Sequence, residues 1–410
     1  MQRGSDLCAP MDPRFQRITD HTYELPAERI ALRPLQQRDH AKLLVWQAGQ
    51  LHDRSFADLA EELPQGSLLV LNDTRVIHAR IPFRRATGAL IECMVLSPGV
   101  GRTMEQALMD GTGTRWWCML GNAKRWKGEE LVLEREGHRF GMRKVAQEQG
   151  EYLIEFIWGG EATFLEQLDR FGVVPLPPYM HRPAEAEDDA RYNTVFAQHP
   201  GSVAAPTASL HFTPQLLETI NGKGIGRAQV TLHVGAGTFL PVKSATMQDH
   251  RMHSEQLHIP RTAVQQLLEQ QGRGPVVPVG TTAMRTVESL YWFGADLALG
   301  VRQEHLRVGQ WRPYEVRPEV PVGQALTAVL QWLDHRGLDA VPGTTTLLIA
   351  PGYRFRMADA LITNFHQPHS TLLLLVAAFI GPRWREVYAH ALAQGYRFLS
   401  YGDGSLLWKE

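Results

Sequence analysis

The chain has 410 residues, with 42 Lys plus Arg and 43 Asp plus Glu, so its formal net charge is −1. This length allows two or three domains, and the charge excludes a protein coated in positive charge, so a nucleic acid would have to bind a local basic patch. Three cysteines, Cys8, Cys93 and Cys118, without a CxxC pair indicate a reducing, cytoplasmic compartment. The longest apolar run, 372–381, is too short to span a membrane and predicts a buried helix or strand.

The first part of the chain changes from a loose leader to a strand-only stretch. Residues 1–20, rich in Pro, Asp and Arg, predict the leader. Ser55 and Asp58 form a capping box that opens a helix, and 67–73 reads as a strand. Five short strand-like runs follow, without a helix between them, which is typical of a small barrel or sandwich. They are ALIECMVL (89–96), TRWWCML (114–120), EELVLERE (129–136), HRFGMRKV (138–145) and EYLIEFIW (151–158).

Helices and strands alternate in the second part. Thr213 and Pro214 begin a helix that ends at Asn221-Gly222. Further helices are predicted at 260–272, 282–293, 323–337 and 383–395, and strands at 228–234, 275–280, 344–350 and 396–403. This alternation predicts a mixed α/β fold, with a mixed, largely parallel sheet flanked by helices. Ligands in such sheets tend to bind beyond the carboxyl ends of the strands.

The strand-only stretch and the alternation of helices and strands predict the domain organisation. We expect a mixed α/β core with the active site over 21–76 and 159–410, and an inserted small β-barrel domain over 77–158.

Two segments rich in small residues could approach a ligand closely. GSVAAPTASLHFTP (201–214) carries His211 before a helix start, although a tight buried turn with a packed histidine explains it as well. TLHVGAGTF (231–239) carries His233, and its loop could wrap a nucleoside, with a plain strand-to-loop turn as the alternative. The loop residues concerned are Gly235, Gly237, Thr238 and Phe239.

Two further segments suggest a binding site for a carboxylate and a functional loop. Thr281, Thr282 and Arg285, at a helix start, could hold a carboxylate, although a helix cap with a surface arginine is equally consistent. Residues 353–375 place polar side chains beside an apolar run, which favours a functional loop. These polar residues are Asp359, Asn364, His366 and Ser370.

A metal and a nucleic acid are the remaining candidates for ligands. His250, His253, Glu255 and His258 crowd one segment, and we interpret them as surface or substrate-contact residues in preference to a metal site. In NAKRWKG, three basic residues surround Trp126, which suits phosphates and unstacked bases, with a solvated turn as the alternative. They are Lys124, Arg125 and Lys127.

Taken together and in order, these segments resemble the S-adenosylmethionine:tRNA ribosyltransferase-isomerase family of queuosine synthesis, from about residue 20 to the C-terminus. The departures from the family pattern are Ala41, Ser209, Gln367, His369 and Leu374, and they bear on substrate detail more than on reaction class. The segments that carry the resemblance include LLVLNDTRVIHARI (68–81), GSVAAPTASLHFT (201–213), LHVGAGTF (232–239), HRMHSE (250–255), VGTTAMRTVES (279–289), PGYRF (351–355), LITNFHQPHSTLLLLVAAF (361–379) and YRFLSYGD (396–403).

The resemblance implies a reaction. S-adenosylmethionine is a ribosyl donor and co-substrate, the acceptor is 7-aminomethyl-7-deazaguanine at the tRNA wobble position, and adenine and methionine leave as epoxyqueuosine forms. No metal, tightly bound cofactor or membrane is implied, and we expect a monomer. The alternatives are a paralogue with another acceptor and a non-catalytic RNA-binding protein on the same scaffold.

The reaction needs a base beside the sulfonium-activated ribose carbon, and histidine suits this role. Asp359 and Asp403 could act as a second acid/base or bind the ribose, and Arg191 could bind tRNA near the site. The histidines inside the resembling segments are His211, His233, His253 and His366.

Overall fold

The computed structural model describes residues 13–99, 101–235, 237, 242, 244–315 and 318–409. The chain divides into two compact units. The first consists of the described residues within 1–73, 206–232 and 240–410, and the second of those within 74–205 and 233–239.

The described elements are numbered in chain order. The strands are β1 Lys42–Gln47, β2 Gln50–Ser55, β3 Leu68–Asn72, β4 Thr74–Val76, β5 Arg80–Arg84, β6 Leu90–Pro98, β7 Gly113–Gly121, β8 Leu131–Arg135, β9 His138–Glu148, β10 Glu151–Trp158, β11 His199–Ser202, β12 Gly226–His233, β13 Glu255–Pro260, β14 Val276–Pro278, β15 Leu306–Val308, β16 Ala340–Thr345, β17 Ala360–Asn364 and β18 Gly404–Trp408. The helices are α1 Leu59–Glu62, α2 Met104–Leu108, α3 Phe164–Phe171, α4 Ala186–Arg191, α5 Pro214–Gly222, α6 Arg261–Glu269, α7 Thr281–Ala298, α8 Val322–Arg336, α9 Thr371–Phe379 and α10 Trp384–Ala393.

The first unit is built on two mixed sheets. One has the order β14-β3-β12-β13-β16-β15, and β3 runs parallel to both of its neighbours. Every residue of β3 is buried, which is the pattern of a strand covered on both faces. The other sheet has the order β17-β18-β1-β2, and a parallel bridge joins Val279 to Ile362, so β14 and β17 run in the same direction. The carboxyl ends of β3, β12, β14 and β17 therefore lie at one edge.

Local sequence signals explain where several helices begin. Ser55 and Asp58 form the predicted capping box ahead of α1. Thr213 caps α5 by accepting a hydrogen bond from Leu216 N, with Pro214 at the first helical position. Ser370 caps α9 in the same way, which resolves the apolar run 372–381 as a buried helix. No helix in the described part of the chain combines the length and apolar character needed to cross a membrane.

The second unit contains a six-stranded antiparallel sheet in the order β5-β6-β7-β10-β9-β8. Its edge strands β5 and β8 also lie against each other, so the sheet closes almost completely into a barrel. Buried and outward residues alternate along β6 and β10, and aromatic rings fill the interior, with Phe140 stacked 5.4 Å from Phe156. The predicted fold class, a mixed α/β core with an inserted barrel, is confirmed.

Three sequence predictions differ from the structure. The predicted strand 396–403 is a turn, and the strand follows it as β18, because Asp403 accepts hydrogen bonds from Arg397 N and folds the segment back. The predicted strand 344–350 is displaced to β16. The leader predicted over 1–20 is not loose in its described part, 13–20, because Ile18 is buried against Met247 and its neighbours and Gln16 donates to Pro351 O at 2.6 Å. The rest of the predicted leader, 1–12, lies outside the described residues.

Candidate functional site

Polar side chains collect where the parallel strands of the first unit end. Asn72, the last residue of β3, is fully buried; its Nδ2 donates to Leu232 O at 3.0 Å and its Oδ1 accepts from Leu232 N at 3.0 Å. The next residue, Asp73, accepts a hydrogen bond from Thr231 Oγ1 at 2.7 Å. Burying these groups is tolerated because each is hydrogen-bonded, so the strand ends form a fixed polar rim.

The start of α7 lies on this rim. Gly280 has φ +91° and its N donates to Ile362 O at 2.7 Å, so the chain turns sharply from β14 into the helix. Thr281 and Thr282 are buried, and Thr282 Oγ1 accepts a 3.4 Å hydrogen bond from Asn72 Nδ2. The first N–H groups of an α-helix favour an anion, so this end of the sheet can hold a carboxylate.

Arg285 is one turn further along α7 and is buried. Its Nε donates to Leu347 O at 3.1 Å, and its Nη1 forms a charged hydrogen bond with Glu255. Arg285, which was predicted to bind a carboxylate of the ligand, thus already binds two groups inside the protein. Only its Nη2 is without a hydrogen-bond partner among the described residues.

His211 is held as a neutral imidazole at the same edge. Its Nε2 lies 3.0 Å from Asn364 Oδ1, and Asn364 Nδ2 donates to the carbonyls of Leu399 and Ser400. Because the amide nitrogen is used by carbonyls, its oxygen faces the imidazole, and Nε2 carries the proton. Burial lowers the pKa of His211 to about 4 in spite of the hydrogen bond from its ring to Asn364.

His366 and Asp403 complete this edge. His366 follows β17, its Nε2 lies 2.9 Å from Thr363 Oγ1, and burial lowers its pKa to about 3. Asp403 precedes β18, which pairs antiparallel with β17, and accepts from Lys42 N at 3.1 Å and Arg397 N at 2.7 Å. The structure brings His211, His366 and Asp403 to the same edge as Thr281 and Thr282.

Asp359 and His253 lie elsewhere in the first unit. Asp359 Oδ2 accepts from Val276 N at 2.9 Å, which places it at the amino end of β14, the edge opposite Thr282. His253 is exposed in the segment before β13. The described residues include no group of three His, Cys, Asp or Glu side chains placed to hold a metal ion.

The second unit holds His233, the last residue of β12. Its Nδ1 lies 2.9 Å from Thr74 Oγ1, and the ring is half-buried. The next residue, Val234, donates its N–H to Ser202 Oγ at 2.9 Å, which fixes the backbone beside the imidazole. Gly235 and Gly237 are half-buried, whereas Thr238 and Phe239 lie outside the described residues.

The predicted RNA-contacting residues are also in the second unit. Lys124, Arg125 and Lys127 are exposed on the turn between β7 and β8, called here the basic turn. Trp126 is buried in the barrel core and donates to Glu129 O at 2.7 Å, so it is not available to stack on a base. Arg191, at the end of α4, lies 4.0 Å from Glu187 Oε1.

The polar rim contains residues that the sequence did not single out. Asn72, Asp73 and Thr231 were read as parts of strands, and the available signal was a polar pair directly after a fully apolar strand. Glu288 was also missed. Its buried carboxylate accepts from Met357 N at 2.9 Å and Tyr353 Oη at 2.7 Å, so α7 holds the loop that contains PGYRF.

Comparison with known proteins identifies the family of the chain. A family profile described as "Queuosine biosynthesis protein" matches residues 18–407. The chain belongs to this family. The resemblance found in the sequence is therefore confirmed.

Individual relatives agree with the family assignment. A protein of Rhodospirillum rubrum is 40% identical over 394 residues, covering 95% of this chain and 98% of its own. A protein of Synechococcus sp. is 40% identical over 403 residues, covering 96% of both chains. Both are named S-adenosylmethionine:tRNA ribosyltransferase-isomerase. A solved S-adenosylmethionine tRNA ribosyltransferase from Thermotoga maritima is 28% identical, with 95% and 99% coverage and a TM-score of 0.46.

Proposed function

We propose that this chain transfers and isomerises the ribosyl moiety of S-adenosylmethionine onto 7-aminomethyl-7-deazaguanine at the tRNA wobble position. The products are epoxyqueuosine in tRNA, adenine and methionine. The observation that carries the proposal is the 40% identity to a ribosyltransferase-isomerase over 95% of the chain. The polar rim at the carboxyl ends of the parallel strands supports it, because ligands of such sheets bind there.

The base that removes the ribose proton is assigned to His233. His211 and His366 are buried and held neutral with low pKa values, and they serve better as hydrogen-bonding groups that shape the site. His233 is half-buried, and its Nδ1 is fixed by Thr74. His253 remains a second candidate. Asp403 is proposed to hydrogen-bond the ribose or act as a second acid/base. Asp359 is the weaker candidate for these roles, because it lies at the amino end of β14, the edge opposite Thr282.

The donor is proposed to bind through two groups of residues. Thr281, Thr282 and the start of α7 hold the methionine carboxylate, and Nη2 of Arg285 supplies a further donor. Gly235 and Gly237, with Thr238 and Phe239, contact the nucleoside. Each group makes a different demand on the ligand, since adenosine has the nucleoside but lacks the carboxylate.

The tRNA is proposed to contact the basic turn and Arg191. The three cations of the basic turn are exposed, and a near-neutral chain must bind a polyanion through such a local cluster. We further propose a cytoplasmic monomer without a metal or tightly bound cofactor. Cys93 and Cys118 are free thiols in the barrel, in keeping with a reducing compartment.

The test is incubation of the protein with S-adenosylmethionine and tRNA that carries the precursor base, followed by mass spectrometry of the digested nucleosides. We expect the precursor nucleoside to be replaced by epoxyqueuosine. tRNA with unmodified guanine at the wobble position is the matched control. Binding of tRNA without any new nucleoside would indicate a non-catalytic RNA-binding protein, and a new nucleoside at another position would indicate a paralogue.

A further inference from the structure

The side chain of Gln310 binds the main chain just before β13. Its Nε2 donates to His250 O at 2.7 Å, and its Oε1 accepts a hydrogen bond from Met252 N at 3.0 Å. The C=O of one residue and the N–H two residues further on are the groups that a neighbouring parallel strand would bond, so the amide takes the place of a strand. The main chain that leads into β13 at Glu255 is therefore fixed by this one side chain.

The position of Gln310 is set by its own main chain. β15 and β16 run parallel, and their pairing continues beyond the ends of both strands. Thr346 N donates to Val308 O at 3.0 Å, and Leu348 N donates to Gln310 O at 3.3 Å. Gln310 is therefore held against Leu348 without help from its side chain, and the side chain links Leu348 to the segment before β13.

Arg285 is bound by the same two pieces of main chain, all within the first unit. Its Nε donates to the carbonyl of Leu347, next to Leu348, at 3.1 Å, and its Nη1 forms a charged hydrogen bond with Glu255, the first residue of β13. Gln310 thus joins the two segments that carry these partners of Arg285. The remaining nitrogen, Nη2, has no hydrogen-bond partner among the described residues.

We propose that Gln310 is a positioning residue, which fixes Leu347 and Glu255 so that Nη2 of Arg285 is directed to the carboxylate of bound S-adenosylmethionine. This inference rests on the proposed function, in which that nitrogen binds the methionine carboxylate. Gln310 touches no ligand atom and acts only through Arg285. It therefore affects the affinity for ligands that carry the carboxylate and not for those that lack it.

Calorimetric titration of Gln310→Met tests this role, because methionine has the length of glutamine but makes neither hydrogen bond. We expect S-adenosylmethionine to bind about 3–10-fold more weakly, a smaller loss than removal of Arg285 itself, and adenosine to bind as in the wild type. Gln270→Met is the matched control, because Gln270 is also half-buried and donates to a main-chain oxygen, Gly66 O, at 2.7 Å. The control should bind both ligands normally. Unchanged S-adenosylmethionine affinity in Gln310→Met, or equal losses for both ligands, would overturn the proposal.

A double-mutant cycle measures whether Gln310 acts through Arg285. In protein that already carries Arg285→Ala and Glu255→Gln, Gln310→Met should weaken S-adenosylmethionine binding no further, and a loss as large as in the single variant would contradict the inference. If Gln310→Met does not fold, Gln310→Glu replaces it in both titrations, since it keeps the acceptor for Met252 N and loses the donor to His250 O. Failure of both variants to fold would show that Gln310 supports the fold and would also overturn the proposal.

Amide hydrogen exchange measures the hold of Gln310 on Met252 independently of the proposed function. The N–H of Met252 donates to Gln310 Oε1, so it should exchange faster in Gln310→Met than in the wild type, and at the wild-type rate in Gln270→Met. Equal exchange in the wild type and in Gln310→Met would overturn the inference. A wild type that binds no S-adenosylmethionine would remove the proposed function and leave this measurement unaffected.

Discussion

At the scale of single residues, the four motif histidines fall into different environments. Burial lowers the pKa of His211 and His366, so both are neutral in the folded protein near pH 7. His253 is exposed, and His233 is half-buried with one nitrogen fixed. Environment, and not residue type, separates a candidate base from histidines that shape the site.

This separation predicts the behaviour of alanine variants. His233→Ala should lose about 10²–10⁴-fold in the single-turnover rate while its melting temperature stays near that of the wild type, because the residue is only half-buried. His335→Ala, which removes an exposed histidine of α8, is the matched control and should react normally. If His253→Ala loses the rate and His233→Ala does not, the base is His253.

The ion pair between Arg285 and Glu255 gives a second prediction. Arg285→Ala should lower the free energy of unfolding by about 3–5 kcal/mol, because it removes one partner of a buried ion pair. Arg261→Ala removes the more exposed pair with Asp334 and should cost less than about 1 kcal/mol. Denaturant unfolding of the wild type and of both variants measures the two losses in free energy. A loss in Arg285→Ala as small as that in Arg261→Ala would contradict the prediction.

The same arginine can be tested for ligand binding once the fold is restored. In Arg285→Ala combined with Glu255→Gln, the charge left behind is removed. We expect calorimetry to show S-adenosylmethionine affinity reduced by about 10–100-fold, the loss of a charge-assisted hydrogen bond, and adenosine affinity unchanged. Equal losses for both ligands would mean that Arg285 supports the fold and not the carboxylate.

At the scale of elements, capping signals and strand-rich texture carried the most information. Thr213 with Pro214 predicted the start of α5, and the run of short strands predicted the barrel, because both depend on local chemistry. The hairpin of β1 and β2 was missed, since residues 43–46, the buried part of β1, pair in parallel with β18 at the far end of the chain. Pairing over such a distance leaves no local pattern.

The same contrast holds for the site. The glycine and threonines at the start of α7 were predictable, because a strand, a glycine and a helix start follow one another. The partners of Arg285 and His211 were not, since Glu255 and Asn364 come from other strands and are brought close only by the sheets. Trp126 belongs to the barrel core for the same reason.

The basic turn gives a prediction at this scale. Replacing Lys124, Arg125 and Lys127 with alanine should weaken tRNA binding and reduce the log–log salt slope by about one unit for each true phosphate contact. The control is alanine at Arg115, Arg139 and Arg143, which are equally charged but paired with Glu155 or Glu130. A changed slope in the control alone would place the RNA on the strands of the barrel.

At the scale of the whole molecule, the two buried histidines make stability depend on pH. Their folded pKa values, about 4 and about 3, lie below the unfolded value of 6.5, so the unfolded chain binds more protons in between. The stability that these two neutral histidines contribute is present above about pH 6.5 and is lost as the pH falls from there towards the folded pKa values. Each histidine should remove about 2 kcal/mol between pH 7 and pH 5.

Urea unfolding at these two pH values measures this loss. His211→Gln and His366→Gln keep a side-chain N–H but cannot titrate, so each variant should show a smaller drop than the wild type. A drop that is the same in the wild type and in both variants would show that other groups cause the acid sensitivity.

The fate of S-adenosylmethionine tests the central claim most directly. The account holds that the ribosyl group is transferred, so each modified tRNA should be accompanied by one adenine and one methionine, measured by chromatography after a single turnover. His233→Ala should release neither at a comparable rate. S-adenosylhomocysteine appearing in place of adenine and methionine would show methyl transfer and contradict the account.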